Sequence, residues 1–390
     1  MPYTVKLTQA DGRVVAMTGV AAVETDPPLT STAPPSIKLI KVTDAPYNVS
    51  VNGSAQNNGT GLQKAFDDAR AQGAQVEIPA GKYQVGQTLR QDGIVVYNNG
   101  ELVLGASIGY YMVGTGPQLI GGTLSRPDAT SRGSQMWEHG VAVFDQSGSF
   151  KLVNVTVNRC RAAGFMIWGG TNGQILGCVT QDSMADGFHM AGSSDGPTTN
   201  IYLRGNQTIR SGDDMLAFVT YAPEANSPNA ARDIECWNHY GSSNTWGRGI
   251  ASVGARNIKV YNSTFTDVHA FGIYVASESS CGGPSELELY NCKIDRCGTT
   301  SSGDDMPDGC CIYGRAGGFD AHLKLHDTVI KSPHRHGVAV YEYGQYAPSN
   351  ETYADVPGQD VYNAAGGKSA QYAEPARRFP RFEPPTRDGR

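Results

Sequence analysis

A short motif of one residue, a glycine and an apolar residue returns through the middle of the chain at intervals of 23 to 37 residues. It reads His139-Gly140-Val141, Ala163-Gly164-Phe165, Asp186-Gly187-Phe188, Asp213-Asp214-Met215, Arg248-Gly249-Ile250, Phe271-Gly272-Ile273, Asp308-Gly309-Cys310 and His336-Gly337-Val338, with Asp214 standing once in the glycine's place. Two residues beyond each apolar position comes another column: Val143, Ile167, Met190, Ala217, Ser252, Val275, Ile312 and Val340. The residues between the two columns vary, from Ala142 through His189 and Leu216 to Tyr274 and Ala339. Period-two alternation inside a much longer period is the mark of strands stacked coil upon coil, so the chain reads as an all-β solenoid.

A second strand per coil recurs as Leu152–Val155, Ile258–Asn262, Leu287–Asn291 and Leu323–Asp327. Asn154, Asn206, Asn262, Asn291 and Asp327 suit the turns that end it, because Asn and Asp tolerate left-handed backbone and can bond the next coil. Surplus length in the longer coils is expected in loops at 221–230 and 277–308. Upstream, Leu62, Ala65, Phe66 and Ala69 follow helical spacing and stop near Gly73. A helix there would cover the open end of a solenoid, whose terminal coil otherwise exposes unpaired backbone. With the "VEIPAGKY" that follows at 76–83, it resembles the opening of pectate-lyase-like proteins. That implies a right-handed parallel β-helix with an N-terminal capping helix. Three segments are expected: a β-hairpin around Asp11-Gly12 with a Pro/Thr/Ser linker, acting as an attachment segment over 1–45; the β-helix over 46–346; and a non-repetitive tail over 347–390.

Composition excludes several function classes. Thirty-one basic residues face 37 acidic ones, for a net charge of −6 without a basic block, which argues against a nucleic-acid partner. No run of 18 apolar residues exists, so no membrane partner is expected. The opening residues 1–6 do not read as a signal peptide, so an extracellular location implies a signal already removed or release by another route. Eight cysteines without paired CxxC spacing point to apolar packing in the core and not to zinc. No metal and no cofactor is expected, although acid clusters leave room for a cation.

The chemistry sits in the column before the glycines. Rungs of a parallel sheet lie about 4.8 Å apart. Asp186 and Asp213 would therefore touch, Asp214 would add a third carboxylate, and Arg248 would flank them. Carboxylates this close cannot all ionise cheaply, and a raised acid beside a fixed base is what glycoside hydrolysis needs. "MADGFHM" at 184–190, "SGDDMLAF" at 211–218 and "WGRGIASVG" at 246–254 resemble three successive motifs of polygalacturonase-like glycoside hydrolases, which carry Asn-Thr-Asp, Asp-Asp and Gly-His-Gly in this order. The resemblance implies that Asp186 and Asp213 activate water while Asp214 is the general acid, with inversion at the sugar. It departs in two places. Arg248 replaces the family's histidine, and Ile273-Tyr274-Val275 replaces its Arg-Ile-Lys, so polygalacturonate itself is not the expected substrate.

Arg248, His189, Trp246 and Tyr274 are the candidate substrate-binding residues, with His189 expected to project outward. Trp137, Trp168 and Trp237 are further aromatics on which a sugar face could pack. A second "SGDDM" at 302–306 lies out of register, and His334, Arg335, His336 and Glu342 form a polar cluster several coils away; both are read as structural, as is Asp308. The expected function is hydrolysis of an extracellular polysaccharide. The alternatives are a polysaccharide lyase, with Arg248, His189 or Tyr274 as base, and a non-catalytic carbohydrate-binding spike. Architecture also resembles phage tailspike depolymerases, which implies a homotrimer.

Overall fold

The computed structural model describes residues 3–8, 14–19, 38–105, 107–221, 227–278, 281, 283–298, 308–313, 320–341 and 344–363. Near the amino terminus, Tyr3–Thr8 and Val14–Gly19 pair antiparallel with Tyr3 opposite Gly19, and this hairpin is a compact unit of its own. The expected turn at Asp11-Gly12 and the linker lie outside the described residues.

Each turn of the solenoid contributes one strand to each of three long parallel sheets, of 12, 11 and 11 strands. The first sheet runs from Leu39–Lys41 to Gly344–Ala347, the second from Lys82–Val85 to Thr352–Ala354, and the third from Leu89–Asp92 to Val361–Asn363. The repeating motif opens the third sheet. The recurrent second strand is the first sheet, and the strands of the second sheet, such as Val179–Ser183 and Gln207–Ser211, carried no separate signal. Three boundaries differ from expectation, the first because Leu39–Lys41, inside the expected attachment segment 1–45, already pairs in the first sheet. The span 277–308 holds two strands, Ser285–Tyr290 and Lys293–Cys297, and sheet pairing continues past Ala347 to Asn363.

Glycine recurs in the motif because of space and not because of backbone angle. A Cβ on Gly140 would lie 2.4 Å from the Gly164 carbonyl oxygen, and one on Gly249 would lie 2.5 Å from that of Gly272. Successive coils touch there backbone to backbone, which only a residue without Cβ allows. The turns after the first sheet work differently. Asn154, Asn262, Asn291 and Asp327 all take positive φ, between 50° and 53°. Each donates its N–H to the next coil: Asn154 to Leu176 O, Asn262 to Tyr290 O, Asn291 to His326 O and Asp327 to Ser349 O. Asn206 departs from this pattern. Gly205 takes the left-handed position in that coil, and Asn206 is buried, donating to Ile175 O at 2.9 Å and accepting from Cys178 N at 2.8 Å.

Inside, the columns are apolar and closely stacked, with the Phe165 and Phe188 rings 4.7 Å apart and nearly parallel. All eight cysteines are buried. The helix, Ala55–Gln72, starts earlier than its apolar stripe. Ser54 caps it by accepting from Asn57 N at 3.2 Å, and Gly73 ends it at φ 60°. Leu62, Ala65, Phe66 and Ala69 are all buried, and Phe66 packs edge-on against Tyr110 of the third sheet. Burying the Leu62 and Phe66 side chains contributes about 1.5–3 kcal/mol each, which holds the cap over the first coils.

Candidate active site

The site lies at the corner where each coil passes from the second sheet to the third. At 161–164, 184–187 and 212–215 this corner is a short turn, while at 126–140 and 298–309 it is long. The short corners bring successive coils close enough for their side chains to meet.

The register there differs by one residue from the sequence reading. Phe188 pairs with Leu216 and Leu216 with Ile250, so Asp214, not Asp213, lines up with Asp186 and Arg248. Met215 takes the place of Gly187, its N–H donating to Arg248 O at 2.9 Å, while Gly187 N donates to Asp214 O at 2.8 Å. Leu216 and Phe218 hold the inward positions assigned to Met215 and Ala217, and Ala217 is the outward residue. Residues 215–219 are apolar throughout, so period-two alternation cannot set their phase.

All three predicted carboxylates meet, with one oxygen from each within 4.8 Å of the others. All three residues are buried, Asp186 and Asp213 7% exposed and Asp214 4%. Asp186 accepts from Asp214 N through Oδ1 at 3.1 Å, and its Oδ2 lies 2.7 Å from His189 Nδ1. Asp214 Oδ1 accepts from Arg248 N at 2.8 Å and lies 2.9 Å from Arg248 Nε. Asp213 Oδ2 accepts from Arg132 Nη2 at 2.7 Å, whereas its Oδ1 is buried without a hydrogen-bond partner among the described residues.

These surroundings push the three groups apart. Burial would raise Asp186, but His189, Arg132 and Arg248 outweigh it and hold the carboxyl below its ordinary range. Asp213 is raised by burial and by the charge of Asp186, against Arg132 and Arg248. Asp214 is raised well above the usual range, by burial first and then by Asp213 and Asp186, despite the attraction of Arg248. The surroundings thus favour the charged form of Asp186 and the neutral form of Asp214.

The supporting residues differ in part from expectation. His189 is not on a solvated surface: it is 3% exposed, its Nε2 lies 3.3 Å from the Tyr221 hydroxyl, and the two rings stack at 5.9 Å. Tyr221 stacks in turn on Trp168, which is buried and donates to Asp195. Tyr274 has no face to spare for a sugar, because Arg248 lies 4.8 Å over its ring and Phe271 stacks against it at 5.7 Å. Trp237 belongs to a separate pile with Tyr261, Tyr290 and His326 on the first sheet. Trp246, half-buried beside the acids with Arg132 5.6 Å from its ring centroid, and Trp137, half-buried in the long corner, are the aromatics that remain.

Two residues had no sequence signal. Arg132 arrives from the long corner at 126–140. Asn244 donates to both Asp213 O and Arg248 O at 3.1 Å and accepts from His269 N at 2.7 Å, tying three corners together. The column's other polar members are structural. His139 is buried, its Nδ1 accepts from Ala163 N, and burial pushes it down to about 3. Asp308 is fully paired with Arg335, and the second "SGDDM" and Glu342 lie outside the described residues.

Among the described residues no helix is long and apolar enough to cross a membrane. No curated protein sequence matches the chain. Solved structures of similar fold include the Agl-KA catalytic domain, with TM-score 0.60 and 16% identity over 85% of this chain and 69% of that one. PfbA, a surface adhesin of Streptococcus pneumoniae, has TM-score 0.55 and 11% identity over 83% and 93%. The A-module of the Azotobacter vinelandii mannuronan C-5 epimerase AlgE4 has TM-score 0.50 and 13% identity over 84% and 100%. At these identities the likeness is one of fold. The profile described as "Right handed beta helix region" matches residues 139–353, more than half of the chain, and the protein belongs to that family.

Proposed function

We propose that this protein hydrolyses glycosidic bonds in an extracellular polysaccharide at the Asp186, Asp213 and Asp214 corner. The observation that carries the reading is the meeting of three buried carboxylates within 4.8 Å, in surroundings that favour the charged form of one and the neutral form of two. Asp214 donates its proton to the leaving glycosidic oxygen, and Asp186 is the ionised partner. If Asp186 takes a proton from water the product is inverted; if it attacks the sugar itself, configuration is retained. Inverting pairs usually stand roughly 6.5–9.5 Å apart and retaining ones roughly 5–5.5 Å. The inverting outcome draws no support from oxygens lying within 4.8 Å. Proton NMR of the first anomer released decides between them.

An epimerase of mannuronan and a surface adhesin among the similar structures fit a glycan partner in this reading without fixing the chemistry. A lyase needs a base free to take the C5 proton of a uronate. Arg248 is engaged with Asp214, and burial raises the Tyr274 hydroxyl well above its ordinary value, which disfavours both. The test is incubation with capsular, exopolysaccharide and plant glycans, scoring new reducing ends and near-ultraviolet absorbance, with Asp214→Asn as control. Hydrolysis gives reducing ends alone, and a lyase gives both. Tight binding without any cleavage is the result expected of an adhesin and rejects the proposal.

A further inference from the structure

The corner at 126–140 is much longer than those of the next three coils, yet it is bonded both to neighbouring coils and within itself. Arg126 is buried and donates from Nη1 to Gly105 O at 3.0 Å and from Nη2 to His139 O at 2.9 Å. Ser131 O accepts from Arg161 Nε at 3.1 Å, and Gly133 N donates to Arg161 O at 2.7 Å. Ser134 N and Gln135 N both donate to Glu138 Oε2, at 2.7 and 2.8 Å. Exposed loops are usually loose. This one is fixed on both sides of Arg132.

From there Arg132 reaches a carboxylate 81 residues away in sequence. In the third sheet Val141 pairs with Phe165, Phe165 with Phe188 and Phe188 with Leu216, so the contact spans three rungs, about 14 Å of solenoid. We propose that Arg132 is a positioning residue for Asp213, delivered by a braced loop to orient that carboxylate in the site and to favour its charged form. Its catalytic meaning rests on the hydrolase reading, but its geometry does not.

The surroundings of Asp213 make this more than a surface ion pair. Asp213 faces Asp186, Asp214, Arg132 and Arg248; Arg248 is bonded to Asp214, and His189 to Asp186. Its second oxygen has no hydrogen-bond partner among the described residues. Arg132 therefore supplies the single hydrogen bond to the Asp213 carboxylate among the described residues, and its guanidinium is placed over Trp246 at 5.6 Å. A buried carboxylate deprived of its cation protonates sooner than it stays charged.

The test uses the full chain with ¹³C-labelled aspartate, following the Asp213 carboxyl carbon, assigned through Asp213→Asn, against pH. Arg132→Gln should raise the Asp213 midpoint, and Arg132→Lys should bring it back toward the wild-type value. Gln keeps a polar N–H donor without the charge on a shorter side chain, and circular dichroism checks that each variant is folded. An Asp213 midpoint unchanged in folded Arg132→Gln overturns the proposal, as does a shift that Lys leaves uncorrected. On any glycan that the wild type cleaves, Arg132→Gln should lower kcat/KM about tenfold on the acid side of the profile, with KM nearly unchanged. If the wild type cleaves none, the hydrolase reading falls while the titration still decides the role of Arg132.

Discussion

Two corners of this solenoid set a buried aspartate of the repeating column against an arginine, and they are built to opposite ends. Asp308 is completely buried, and both its oxygens are used: Arg335 donates at 3.0 and 2.8 Å, His336 N at 3.1 Å, with the Tyr341 hydroxyl at 3.5 Å. One carboxylate meets one guanidinium and nothing is left over. At the other corner three carboxylates share Arg132, Arg248 and His189, and Asp213 Oδ1 has no hydrogen-bond partner among the described residues. A fold seeking only stability would not crowd like charges and leave an acceptor unmet. A saturated acid therefore reads as structure here, and an unsaturated one as chemistry.

The largest expected effect tests the second half of that contrast. Asp214→Asn removes the proton donor while keeping size and hydrogen-bond capacity, and kcat should fall by about 10²–10⁴-fold. Asp308→Asn, an identical chemical change, should leave kcat per folded molecule at the wild-type level. Comparable losses of kcat in both variants would erase the distinction.

Next comes stability. Asp308→Ala strips Arg335, the His336 N–H and Tyr341 of their acceptor. Breaking a fully buried pair costs roughly 3–5 kcal/mol; with Arg335 36% exposed and able to turn to water, about 2–4 kcal/mol is expected. Denaturant titration measures it, and faster hydrogen exchange in Cys310–Tyr313 and Val338–Val340 would localise it. A smaller effect uses the glycines in front of each cluster. A Cβ on Gly187 would meet Thr208 Oγ1 at 2.3 Å and Met215 O at 2.5 Å, and one on Gly309 would meet Gly337 O at 2.4 Å. Both Gly→Ala variants should lose about 1–3 kcal/mol to overpacking. Only Gly187→Ala should also lose activity, because it moves Asp186 against Asp214.

How much of this was legible depends on whether the information was periodic. The cap helix, the inward columns and the asparagine turns repeat, so Leu62, Phe165 or Asn262 could be placed from spacing alone. Residues 215–219 are uniformly apolar and have no phase, which is why Asp213 and Asp214 exchanged places by one residue. The second sheet stayed hidden because its strands, such as Gln207–Ser211, are short and mixed in polarity. Arg132 and Asn244 were invisible for another reason. Their meaning comes from partners 81 and 31 residues away, fixed by coil stacking and by no local pattern. His189 was found beside Asp186, but nothing in "MADGFHM" shows that Tyr221 from a later coil covers it.

The smallest effect concerns the free energy held in the crowded corner. Asp213 and Asp214 are raised in the folded state, so their favourable contribution is complete below the unfolded value, near 3.9, and is lost as pH rises through the raised folded values. Asp186 is lowered, so its contribution is present above the unfolded value and disappears as pH falls through the lowered one. Between about pH 4 and pH 8 the raised pair should thus cost the wild type stability that Asp213→Asn/Asp214→Asn does not lose. The double variant has its own packing penalty and weakens the hold on Arg248, but these are common to both pH values and cancel in the difference. Its Tm relative to wild type should therefore be higher at about pH 8 than at about pH 4, by a few degrees or less. If the difference is the same at both, the two carboxyls ionise at no cost, and the crowded corner is as well satisfied as the Asp308 pair.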